Sequence, residues 1–98
     1  MLDKNVTITV TGTAELTNAI GLHARPSVKL TQLAKSFLSS VEFSFSPDGP
    51  WVDAKSPVKV MRARAPKGTV LHLVTKGPDA EAALAAVQAL IADKFGEE

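Results

Sequence analysis

The apolar residues of this chain change period along its length, and that switching limits the folds open to it. Val6-Thr7-Ile8-Thr9-Val10-Thr11 alternates strictly and is β-branched throughout, which predicts a strand with one wet face. Gly12 interrupts the pattern and Thr13–Thr17 resumes it. This predicts either one long strand bulged at Gly12 or an added strand ahead of the first strand proper. After a turn at Asn18-Ala19-Ile20-Gly21 the period lengthens. Leu30, Leu33, Ala34, Phe37 and Leu38 form one stripe of a helix over 24–38, and Pro26 is admissible in its first turn.

The period then returns to two. Val41–Ser46 alternates, Pro47-Asp48-Gly49-Pro50 turns the chain, and Trp51–Ala54 returns as a short strand. Ser56-Pro57 is a helix-start signal for a helix of about two turns near 58–64, closed by Pro66-Lys67-Gly68. Thr69–Thr75 is the last strand. Asp79 is expected to cap a final helix whose buried face holds Ala83, Leu84, Val87, Leu90 and Ile91. The order is β-α-β-β-α-β-α, an α+β pattern. Strands with one apolar face must bury it, so an antiparallel sheet covered on one face by three helices is expected.

A chain of 98 residues, 45% of them hydrophobic, has material for one core, so residues 1–98 are read as a single domain. Residues 1–12 are an extra N-terminal strand or linker segment. The formal net charge of +1 gives no global attraction to nucleic acid or to an anionic membrane. The absence of cysteine excludes disulfides, thiolate nucleophiles and cysteine metal sites. His23 and His72 are too far apart in the chain for a recognisable ligand spacing, so no metal site is expected. Met1–Asn5 carries no secretory pattern, and the alanine-rich run 82–92 is too short to span a bilayer, so a cytoplasmic location is expected.

Chemistry concentrates in Gly21-Leu22-His23-Ala24-Arg25-Pro26-Ser27, where the first turn enters the first helix. The partial positive charge of a helix start disfavours an imidazolium and favours the neutral, nucleophilic imidazole. A phosphoryl group accepted there would face backbone N–H donors, with Arg25 as a fixed counter-charge. On chemistry alone, a solvated polar pair or a helix cap is the commoner account of such residues.

The segment 21–26 resembles the active-site motif of HPr, the histidine-containing phosphocarrier of the bacterial phosphoenolpyruvate-dependent sugar phosphotransferase system. The resemblance continues through Ala34 and Phe37, then Ala54-Lys55-Ser56 with Met61 and Lys67-Gly68-Thr69, and finally Gly77-Pro78-Asp79. It implies an HPr-like open-faced two-layer sandwich with strand order 1-4-2-3. It also implies that His23 is phosphorylated on Nδ1 by an Enzyme I phosphohistidine and dephosphorylated by an Enzyme IIA histidine. Arg25 would stabilise the phosphate, and no cofactor is implied. Ser56 matches a regulatory serine that a serine kinase phosphorylates in some bacteria, although capping alone explains a serine there. The chain departs from the family pattern in residues added before the motif, a short insertion around Asp48, and Pro57 in place of a bulky apolar residue.

Partner docking is expected on Ala24, Pro26, Ser27, Lys35, Pro57, Val58, Met61 and Arg62, with Lys59, Arg64 and Lys67 extending a basic rim. His72 is read as a polar residue on one sheet face and Trp51 as a packing residue. The chain is expected to act as a monomeric protein substrate with no turnover of its own. Three other readings compete. An HPr-like domain of a longer fructose- or dihydroxyacetone-type phosphotransfer protein predicts poor rescue of sugar uptake by the isolated chain. A regulatory binding module predicts no acid-labile phosphate on His23. An RNA-binding module using Lys59, Arg62 and Arg64 predicts salt-sensitive RNA binding.

Overall fold

A computed structural model of the chain describes residues 7–96. The Met1–Asn5 segment and the start of the strand expected at Val6 lie outside the described residues. The elements are β1 (Ile8–Glu15), α1 (Ala24–Lys35), β2 (Ser40–Ser44), β3 (Val52–Asp53), α2 (Pro57–Arg62), β4 (Val70–Gly77) and α3 (Ala80–Ala92), followed by a 3-10 turn at Lys94–Gly96. The four strands form one antiparallel sheet in the order β1-β4-β2-β3. The three helices cover one face, as expected.

β1 is one unbroken strand. Its register with β4 runs residue for residue from Ile8↔Gly77 to Glu15↔Val70, so there is neither a bulge at Gly12 nor a separate leading strand. Gly12 serves the crossing of α3 over β1 instead. A Cβ there would lie 2.8 Å from Gln88 Nε2 and 3.3 Å from Leu84 Cδ2. Gln88 Nε2 in turn donates to the Thr13 carbonyl at 3.0 Å.

α1 ends at Lys35, earlier than its apolar stripe suggests. Ser36 N–H bonds the Leu33 carbonyl at 3.0 Å and Phe37 N–H bonds that of Ala34 at 3.2 Å, the tightened closing turn typical of a helix end. Lys55 Nζ donates to the Phe37 carbonyl at 2.8 Å, placing a cation where the helix end is negative. Leu38, assigned to the buried stripe by its spacing, is 82% exposed.

Asp79 corrects another expectation. It stands at the start of α3 but its carboxylate makes no capping bond to that helix. The carboxylate accepts instead from the N–H groups of Leu38 (3.0 Å) and Ser39 (2.8 Å), while Asp79 N–H donates to Ser39 Oγ (3.1 Å). The end of α1 is thereby latched to the start of α3. Ser56 does cap α2, its Oγ accepting from Lys59 N–H at 3.3 Å. That helix stops at Arg62, because Ala65 leaves to pair elsewhere.

The core between sheet and helices is built on Leu22, Leu30, Phe43, Val60, Leu71 and Ile91, closed at the C-terminal end by Phe95. Among the described residues no helix is long and apolar enough to cross a membrane.

Candidate functional site

The turn before α1 is held from inside. Asn18 is fully buried, its Nδ2 donating to the Gly21 carbonyl at 2.7 Å and its own carbonyl accepting from Gly21 N–H at 3.1 Å. Gly21 adopts φ +65°, and a Cβ there would lie 2.2 Å from the Ala65 carbonyl oxygen. Only glycine satisfies both the left-handed backbone and that close approach. Leu22 then pairs with Ala65 through two bonds, Leu22 N–H to Ala65 O at 2.8 Å and Ala65 N–H to Leu22 O at 3.2 Å. The chain thus enters α1 clamped to the segment that leaves α2.

His23 comes next, at the N-cap of α1. Its carbonyl accepts the first helical bond, from Ser27 N–H at 2.8 Å, while its imidazole makes no capping bond and is exposed. A serine, threonine or aspartate at this position would turn its side chain onto the helix amides. Histidine leaves the helix start open toward solvent and its own ring accessible. Ala24 and Arg25 are exposed beside it. Pro26 and Ser27, expected to face partners, are buried. They seat the first turn on the core and offer no docking surface.

His23 also lines a hollow of about 230 Å³ with Ile20, Leu22, Arg64, Ala65 and Pro66. Ile20, in its lining, and Val28, Val58 and Met61, on α1 and α2, are exposed apolar side chains. Lys35, Pro57, Lys59, Arg62 and Lys67 are exposed as well, and Ser56 is half-buried. A second hollow of about 400 Å³, between the β2–β3 hairpin and α2, is lined by Phe45, Trp51, Lys59 and Arg62 among others and shares no residue with the first. Trp51 is 37% exposed there. His72 is half-buried on the sheet, opposite Thr13 and Ser44. Among the described residues no cluster of three or more His, Cys, Asp or Glu side chains is arranged to hold a metal.

Sequence reasoning did not single out Asn18 or Ala65, nor set Arg64 beside His23. An Asn-x-x-Gly turn was a readable signal for Asn18. The pairing of residues 22 and 65 left no local trace.

Residues 4–93 match the family model described as the PTS HPr component phosphorylation site. The chain belongs to the HPr family. It is 51% identical over 80 residues to phosphocarrier protein HPr of Cupriavidus necator, spanning 82% of this chain and 88% of that one. To phosphocarrier protein NPr of Escherichia coli K12 it is 36% identical over 91 residues, spanning 93% and 100%. The crystal structure of HPr from Thermoanaerobacter tengcongensis superposes with a TM-score of 0.82 at 38% identity, covering 91% of this chain and 98% of that one. The sheet order and helix placement described above are those of an HPr fold, and the role that goes with the family is that of a phosphocarrier in phosphotransferase chains.

Proposed function

We propose that the chain carries its phosphoryl group on His23, taking it from an Enzyme I phosphohistidine and giving it to an Enzyme IIA histidine. The observation that carries this reading is the exposed, uncapping imidazole at the start of α1. The lone pair of the neutral ring, at Nδ1, forms the new N–P bond as the donor's N–P bond breaks and its electron pair returns to the donor imidazole. Bonds and charges therefore balance between the two histidines. The helix start and the Arg25 guanidinium oppose the negative charge of the group in transit.

Val58 and Met61, exposed on α2 among Lys59 and Arg62, supply the apolar contact of a docking face, with Ala24, Pro57 and Lys35 around it. Ser56 serves first as the cap of α2. A phosphate there would be electrostatically compatible with the same helix start, but capping alone accounts for the serine. The chain works as a monomeric single domain in the cytoplasm.

Intact-protein mass after incubation with phosphoenolpyruvate and a purified Enzyme I tests the proposal. The expected result is one added phosphate, removed by mild acid and absent from His23→Ala. Acid-labile phosphate retained by a folded His23→Ala variant overturns it.

A further inference from the structure

The bridge that clamps Leu22 to Ala65 brings a second cation to the histidine. In an antiparallel ladder the residues next to a doubly hydrogen-bonded pair face each other, so this bridge sets His23 across from Arg64. The bridge is a single pair outside the named strands, and His23 and Arg64 are the residues that flank it on the two segments it joins. His23 has the extended backbone that the register requires, φ −138° and ψ −168°. Both side chains accordingly line one hollow. Arg64 is exposed, and among the described residues no hydrogen bond or ion pair engages its guanidinium.

Charge gives this placement a purpose. A phosphoryl group near neutral pH carries about −1.5 to −2. One guanidinium, that of Arg25, balances about half of it. A second, presented from across the ladder, balances the rest and offers a planar fork of donors suited to phosphoryl oxygens.

We propose that Arg64 is a second phosphoryl-binding residue, whose guanidinium holds oxygens of the group carried on His23. The inference rests on the reading of His23 as acceptor. Because Arg64 touches the group itself, its effect persists in the isolated phosphorylated protein, where no partner is docked. That separates it from a rim charge that only attracts Enzyme I.

The test is a 31P NMR titration of the phosphorylated chain, alongside the rate of phosphoryl transfer from Enzyme I. A nearby fixed positive charge favours the dianion, so Arg64→Ala raises the apparent pKa of the phosphoryl group, by roughly half a unit to one unit. The same variant accepts phosphate roughly tenfold more slowly, the loss expected for one charge-assisted hydrogen bond at a partly open site. Arg64→Lys, which keeps the charge but not the fork, falls between. Lys76→Ala, the same change of net charge at the far end of β4, matches the parent protein. Circular dichroism establishes that each variant is folded. A normal phosphohistidine signal in the parent with an unmoved titration in Arg64→Ala overturns this inference alone. Absence of any phosphohistidine signal in the parent overturns the acceptor reading, and this one with it.

Discussion

Replacing Gly21 by alanine brings a methyl group onto the Ala65 carbonyl oxygen and forces a side chain into φ +65°. The cost of such a backbone conflict is about 1–3 kcal/mol, and the first contact to yield is the Leu22–Ala65 pair. Gly21→Ala is therefore expected to lower the urea midpoint and to slow phosphoryl transfer from Enzyme I together. His23→Ala separates the two. An exposed side chain with no capping bond contributes within about 0.5 kcal/mol of nothing to stability, so the midpoint stays while acceptance is lost. Arg25→Ala retains the acceptor and slows transfer, as a stopped-flow comparison with the parent would show. At this scale the motif holding His23 and Arg25 was readable because it is contiguous, and both residues stand exposed at the start of α1. The face of the first turn was not readable. Whether Ser27 meets solvent or core depends on how α1 lies on the sheet, and the helix buries it. Arg64 was readable as a basic residue but not as a neighbour of His23, since a two-residue bridge has no periodicity to announce it.

Among the elements, the latch between α1 and α3 depends on one carboxylate. Hydrogen bonds from Ser39 and from the Leu38 amide hold Asp79 below the ordinary 3.8, at about 2. With the folded value below the unfolded one, the ionised latch stabilises fully above about pH 4, and its contribution is lost as pH falls toward 2. Urea midpoints measured from pH 5 down to 2 are expected to show this. The parent exceeds Asp79→Ala at pH 5, and the gap closes across that window. A gap that stays constant with pH would assign the effect to something other than the charge. The sequence pattern put an acid in the right place for a cap, but a carboxylate takes whichever amides converge on it. Here the residues just past the end of α1 present two. The same competition explains why α1 stops at Lys35 although its stripe runs on to Leu38.

For the molecule as a whole, periodicity was enough to name the element types and to place all the helices on one face. The strand order was not derivable that way, because β1 must find β4 across most of the chain; it came from the family resemblance. The C-terminal end was also silent. Phe95 reads as one aromatic in a polar tail, yet it is 1% exposed, and Lys29 Nζ reaches from α1 to its carbonyl at 2.6 Å. Phe95→Ala is expected to destabilise the fold by about 3–5 kcal/mol. Calorimetry reads that loss, while transfer measured below the lowered melting temperature stays near the parent rate, since Phe95 does not line the hollow of His23. The Leu22–Ala65 bridge has a further consequence. A peptide copied from Asn18 to Leu30 would contain the whole motif and yet lack the Ala65 segment to which the chain before its histidine is clamped. In the intact chain the two amide protons of that bridge are released by the same local opening, so their exchange with solvent rises and falls together. Their common protection measures how much of the time the carrier's centre stands assembled.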